Sequence, residues 1–270
     1  MASLSALAGR IAVVTGAGRG IGRAIALGLG EAGAEVVAVS RTLAEVEAVA
    51  SQIRAAGGAA TAVRADLTEE NDVLRLARWL EAERGGRLHV LVNNAGLRMD
   101  HLGDQLRYPY RIPLLALPIE AWDRMIRANL RAPFLACRLL GPLLCAAGGA
   151  SVINISAGAG VRGAAGRAPY SASKFGLEGL TQSLAAEWRD ANVAVTTLEP
   201  GVSVLTDAVK RALLVRDPAL RFARPEVMVP ATLFLATQDA SGVSGQHLDA
   251  FAWLRERGLD AWERWAAQLD

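Results

Sequence analysis

Short runs of β-branched and apolar residues alternate with longer stretches of helical periodicity along almost the whole chain. Ile11 to Thr15 (IAVVT) reads as a strand, a helical stretch follows from about Ile21 to Ala32, and Glu35 to Ser40 (EVVAVS) reads as a second strand. Further strands are predicted at Ala60 to Ala65, His89 to Asn93, Ser151 to Ser156 and Val193 to Leu198, with helices near 42–56, 69–84, 120–146, 169–191 and 225–237. The strand runs are apolar on both faces. That pattern implies an α/β fold with a doubly wound, mostly parallel sheet covered by helices on each side. No linker, repeat or low-complexity stretch divides the chain, so residues 1–270 are expected to form a single domain.

Two segments depart from this rhythm. Residues 97–118 (LRMDHLGDQLRYPYRIPLLALP) form a connection far longer than the ~2–6 residues usual between strand and helix. Residues 250–270 follow the last plausible strand and carry Phe251, Leu254, Trp262, Trp265 and Leu269 at a spacing that suits an amphipathic helix interrupted at Gly258. Each segment reads as an interface, a lid or a patch over its own core.

Composition narrows the function classes. Of 270 residues, 52% are hydrophobic, enough to bury a sizeable core and to exclude a disordered or collagenous chain. The formal charge is only +2 and like charges do not cluster, so no nucleic-acid or anionic-membrane partner is expected. Cys137 and Cys145 match neither a disulfide framework nor a metal-ligand spacing and read as small core residues. His89, His101 and His247 are scattered, so no metal is expected. The start, MASLSALAGR, does not read as a signal peptide, and the long uncharged stretch from Leu139 is broken by Gly141, Pro142, Gly148 and Gly149, so a cytoplasmic location is expected.

The candidate chemistry begins where the first strand ends. TGAGRGIG places Gly16, Gly20 and Gly22, with Arg19 and Ile21 among them, between a strand and a helix. A dinucleotide pyrophosphate has to approach backbone N–H groups at a helix N-terminus, and glycine permits both the turn and the approach. The alternative is an ordinary structural turn. The second strand ends in Ser40 and Arg41, where a NAD-selective site would place an acid for the ribose 2′-OH. Arg41, helped by Arg19, offers donors to a 2′-phosphate and points to NADP(H); the alternative is two solvated arginines. Asp66, before Leu67, reads as an acceptor for an adenine amino group or as a helix cap.

With NNAG (Asn93 to Gly96, including Ala95), Asn129, Tyr170-x-x-x-Lys174 and Pro200-Gly201 in the same order, the chain resembles the short-chain dehydrogenase/reductase (SDR) family over about Gly9 to Asp249. The resemblance implies a Rossmann fold with a seven-stranded sheet, hydride exchange between a nicotinamide and a carbonyl or alcohol substrate, and a homodimer or homotetramer. It assigns the cofactor to Gly16, Arg19, Gly20, Ile21, Gly22, Ser40, Arg41, Asp66, Leu67, Asn93, Ala95, Gly96, Tyr170, Lys174, Pro200, Gly201 and Thr206. It also implies that Asn129 holds the helix geometry and a water on the proton path from Lys174.

The Tyr–Lys pair has its own chemical logic. A phenol of ordinary pKa about 10 moves protons poorly near neutrality. Lys174, one helical turn beyond Tyr170, favours the phenolate, so that Tyr170 serves as general acid in reduction and base in oxidation.

Three positions depart from the family pattern. Ala157 stands where the family has its catalytic serine, and Ser156, one residue earlier on the strand, is expected to face away unless a bulge re-aims it. Thr206 falls one residue late after Pro200-Gly201, and Glu199 is an unusual charge at a buried strand end, expected to face solvent, the alternative being a place beside the substrate. The leading expectation is an NADP(H)-dependent oxidoreductase. The alternative is a nucleotide-binding scaffold or sensor with little turnover; an epimerase or dehydratase would use the same Tyr–Lys pair. Half of the aromatic residues lie in or beside the two irregular segments (Tyr108, Tyr110, Trp122, Phe251, Trp253, Trp262, Trp265), which suggests a substrate wall and a subunit contact.

Overall fold

Seven parallel strands form one sheet in the order β3-β2-β1-β4-β5-β6-β7. A computed structural model describes residues 6–99, 111–206 and 221–267. The strands are β1 (Ile11–Thr15), β2 (Glu35–Ser40), β3 (Ala59–Arg64), β4 (Val90–Asn93), β5 (Ala150–Ile155), β6 (Val193–Glu199) and β7 (His247–Asp249). The first six coincide with the predicted runs to within a residue or so. β7 was not among them, because three residues without β-branching carry no periodic signal. Its pairing is tertiary, with Thr197, Leu198 and Glu199 opposite His247, Leu248 and Asp249.

Alternate residues of the inner strands enter two different cores, which is why these strands read as continuous apolar runs. Val14, Val36, Ile153 and Leu198 pack on one face with α1 (Gly20–Glu31), α2 (Leu43–Ala55) and α7 (Val229–Ala236). Val13, Val37, Val152 and Val195 pack on the other with α3 (Glu70–Glu83) and α5 (Ala132–Cys145). α6 (Ala168–Glu187) covers β6 on this second face through Leu184 and Ala185.

The helix expected at 120–146 is divided. α4 (Ile119–Ile126) runs into a π turn at Arg127–Arg131 before α5 begins. Pro133 supplies the physical reason: it has no N–H to donate to the carbonyl of Asn129, so the α register cannot pass through that turn unchanged.

The aromatic tail covers its own core. α8 (Ala250–Arg255) and α9 (Trp262–Trp265) flank Gly258, whose φ of 64° breaks the helix as expected. Trp265 is buried and donates through Nε1 to the Leu259 carbonyl at 2.7 Å, while Phe251, Trp253 and Trp262 pack on the first core. These four rings pack on the chain's own core, one of the three readings given for the segment. Of residues 97–118, those at 100–110 lie outside the described residues, including Leu102, Leu106, Tyr108 and Tyr110. Met99 and Ile112 join Ala121 and Met125 in a small cluster against Tyr170, whereas Leu114 and Leu115 are exposed.

Candidate active site

The strand order reverses between β1 and β4, and open parallel sheets offer a crevice at such a point, beyond the carboxyl ends of the strands. A cleft of about 1560 Å³ lies there, lined by the segments that follow β1 through β6. That exceeds the ~300–1,000 Å³ of ordinary small-molecule pockets and leaves room for a dinucleotide together with a substrate.

The glycine loop forms the floor of one end. A Cβ at Gly22 would overlap the Gly16 carbonyl oxygen and Asn94 Nδ2, so the loop packs this closely only with glycine there. Asn94 holds the arrangement by donating from Nδ2 to the Thr15 carbonyl at 2.9 Å and the Gly16 carbonyl at 3.1 Å. Thr15 Oγ1 accepts from the N–H groups of Asn94 and Ala95, both at 3.0 Å.

Asn93 does not reach the cleft. It is buried in the sheet and donates to Asn154 Oδ1 at 2.9 Å, so the expectation that it lines the cofactor cleft is corrected: Asn94, not Asn93, lines the cleft. Strand alternation sends one asparagine of the pair inward, and the second Asn of NNAG was the available signal.

Gly16, Arg19, Gly20, Ile21, Gly22, Ser40, Arg41, Asp66, Leu67, Ala95, Gly96, Pro200, Gly201 and Thr206 all line the cleft. Arg19 and Arg41 are exposed. Ser40 Oγ is occupied in a local turn, donating to the Thr42 carbonyl at 2.9 Å. Asp66 Oδ1 accepts from the Thr68 N–H at 2.9 Å and its hydroxyl at 2.8 Å, a local turn ahead of α3, whose first turn it does not cap. Thr206, despite its late register, stands over the glycine loop: a Cβ on Gly20 would lie 3.2 Å from its Cγ2. Gly201 has φ of 69°, and a side chain there would collide with the Asp249 carboxylate that caps α8.

Tyr170 and Lys174 enter the cleft from the first two turns of α6. Lys174 is buried, donates from Nζ to the Ile155 carbonyl at 2.7 Å, and has its pKa lowered to about 8 by desolvation, with the Glu178 charge acting in the opposite sense. Asn129 lies in the π turn, outside the cleft lining. Its Oδ1 accepts from the Leu97 N–H at 2.6 Å, and its Nδ2 donates to the Leu97 carbonyl at 2.9 Å and to Ser173 Oγ at 3.2 Å. It therefore ties the start of the long insert to α6 beside Tyr170.

Ala157 is fully extended, with φ of −161° and ψ of 160°, so no bulge re-aims Ser156. The Ser156 hydroxyl donates instead to Glu178 Oε1 at 2.5 Å. Glu178 also accepts from Thr197 Oγ1 through Oε2 at 2.7 Å and pairs with His247 Nδ1 at 3.1 Å. Burial alone would raise the Glu178 pKa, yet these partners hold it below the ordinary carboxylate value. His247 reaches on through Nε2 to Glu199 Oε1 at 3.1 Å, and its two carboxylate partners push its pKa up to about 9. Glu199 is a correction: its side chain is only 13% exposed and lines the cleft, because the charged His247 on neighbouring β7 gives the carboxylate a partner there.

Comparison with known proteins is consistent with this arrangement. The family model described as short chain dehydrogenase matches residues 10–214. A 3-oxoacyl-[acyl-carrier-protein] reductase of Synechocystis sp. is 34% identical over 249 residues, covering 90% of this chain and 96% of that protein. A D-threitol dehydrogenase of Mycolicibacterium smegmatis is 34% identical over 254 residues, covering 90% and 91%. A Beutenbergia cavernae structure with NADP bound at low occupancy superimposes with a TM-score of 0.77 at 38% identity, covering 94% of this chain and all of that one. Strand order, the cleft at the reversal point and the match over more than two hundred residues agree, and the chain belongs to the short chain dehydrogenase family.

Proposed function

We propose that the protein is an NADP(H)-dependent oxidoreductase interconverting a carbonyl and an alcohol, with Tyr170 as general acid/base and Lys174 as its electrostatic partner. The convergence of Tyr170 and the buried Lys174 on one wall of a cleft that starts at a glycine loop carries this reading. The residues fit the cofactor: Gly16, Gly20 and Gly22 line the cleft where α1 begins, and backbone N–H groups at that helix N-terminus suit a pyrophosphate, as Arg19 and Arg41 suit a 2′-phosphate. A bound reduced nicotinamide supplies a hydride to the carbonyl carbon. Tyr170 Oη gives its proton to the carbonyl oxygen as the C=O π bond opens, and takes it back in oxidation. Lys174 stabilises the resulting phenolate, and Asn129 fixes the Leu97 backbone against α6. Ala157 leaves the substrate oxygen without the hydroxyl that the family pattern places there.

Phe134 on α5 and Phe175 on α6, each 47% exposed, favour a homodimer or homotetramer burying these helices. The free Cys137 and Cys145 accord with a cytoplasmic location.

The test is NADPH consumption across a panel of ketones and aldehydes. Turnover that falls by at least 100-fold in Tyr170→Phe is expected; NADPH binding without turnover of any carbonyl would replace the enzyme by a nucleotide-binding scaffold.

A further inference from the structure

Given the oxidoreductase reading above, we infer that Glu199 is a specificity-determining acceptor in the cleft and that the substrate is an α-hydroxy carbonyl or vicinal diol. The geometry begins with the sheet. Ile155 and Leu198 are register partners, so Ser156 and Ala157 emerge beside Glu199 at the carboxyl edge of the sheet. Glu199 Oε1 is held by His247, while Oε2 faces Gly158, lying 3.3 Å from where a Cβ on that residue would sit. Gly158 is the residue directly after Ala157. The wall where the family pattern places a serine hydroxyl thus presents the methyl of Ala157 and, next to it, a carboxylate oxygen.

A chain of hydrogen bonds through His247 and Glu178 keeps Glu199 in this state. His247, protonated at neutral pH, donates one ring N–H to Glu178 and the other to Glu199. Glu178 in turn holds the hydroxyls of Ser156 and Thr197, so Ser156 offers no donor that could take Oε2's place.

A carboxylate accepts hydrogen bonds and cannot donate them, so it repels the negative charge that develops on a reacting carbonyl oxygen. Oε2 is satisfied only by a second donor on the substrate, on the carbon beside the reacting one, while the reacting oxygen takes the Tyr170 proton. An ammonium would also satisfy Oε2. Arg19, Arg41, Arg162 and the buried Lys174 line the same cleft and make it unfavourable for a further cation, which leaves a hydroxyl.

The experiment compares kcat/KM for 3-hydroxy-2-butanone and 2-butanone with NADPH in the wild type, Glu199→Ala and Glu199→Gln, with folding checked by thermal melts. A wild-type preference of about 10-fold to 100-fold for the hydroxy ketone is expected, the range for a hydrogen bond to a charged group. The ratio should fall to within about threefold of unity in Glu199→Ala and to an intermediate value in the isosteric Glu199→Gln. Equal turnover of both ketones by the wild type, or a preference that survives both substitutions, overturns the role of Glu199 and leaves the oxidoreductase reading standing. A preference for 3-amino-2-butanone over the hydroxy ketone overturns the hydroxyl assignment. Bound NADPH with neither ketone reduced, and none in the wider panel, overturns both readings.

Discussion

Replacing Lys174 with Met should abolish turnover while leaving the ligand-free protein at least as stable at pH 7. The ammonium is buried, and its pKa falls from the ordinary 10.5 to about 8, chiefly by desolvation. At ~1.4 kcal/mol per tenfold change in the protonation equilibrium, that drop corresponds to roughly 3 kcal/mol against the folded state at neutral pH. Met removes this penalty and fills similar volume. Against the gain stands the Ile155 carbonyl, which loses the Nζ donor at 2.7 Å, a cost of about 1–3 kcal/mol. The net expectation is between no change and about 2 kcal/mol of stabilisation, a rise of a few degrees at most for a chain of this length.

The pH dependence gives the decisive sign. The folded pKa lies below the unfolded one, so the penalty is full below about pH 8, fades as pH rises toward 10.5, and is gone above it. The wild type should therefore gain on Lys174→Met by roughly 2–3 kcal/mol between pH 7 and pH 10 in paired urea titrations. A stability gap that does not move with pH, or a Met variant more than about 2 kcal/mol less stable at pH 7, would refute the reasoning.

Further substitutions separate the parts of the site. Arg41→Ala should weaken NADPH binding by about 10-fold to 100-fold and NADH binding far less, measured by fluorescence titration; equal losses would remove the 2′-phosphate assignment. Gly22→Ala places a methyl against the Gly16 carbonyl and Asn94 and should cost at least 10-fold in affinity for either cofactor. Ala157→Ser restores a donor facing the reacting oxygen and should raise kcat by at least 10-fold, within the ~10²–10³ that such a donor supplies elsewhere. No rise would mean that the substrate oxygen sits elsewhere in the cleft.

What the sequence discloses about this protein divides along the range of the interactions involved. Six strands were legible because each is a run of apolar residues, and the inner ones send alternate members into two cores, as Val13 and Val14 do. Turn chemistry was equally local: the glycine spacing at 16–22 and the Tyr170–Lys174 spacing bring those residues to the cleft. The destination of Glu199 was not legible, because its partner His247 is 48 residues away on a strand too short to announce itself. Ser156 could be assigned a face from strand parity, but its partner Glu178 lies on the next helix, and only the packed structure shows the hydroxyl engaged there. The adjacent asparagines 93 and 94 differ only in the face they take at a strand end, a matter of one residue of register. The tail aromatics followed the expected helical spacing, yet spacing alone does not say whether a ring covers its own core or another subunit.

The central claim is hydride transfer assisted by Tyr170, and isotope tracing tests it most directly. The protein would be incubated with 3-hydroxy-2-butanone and with a second, simple ketone, each with NADPH deuterated on the transferring face of C4, and the products read by proton and deuterium NMR. Deuterium on the carbinol carbon of at least one product, formed by the wild type and at least 100-fold more slowly by Tyr170→Phe, is the predicted result. Product without deuterium at that carbon, or label transferred at an undiminished rate by Tyr170→Phe, would contradict it.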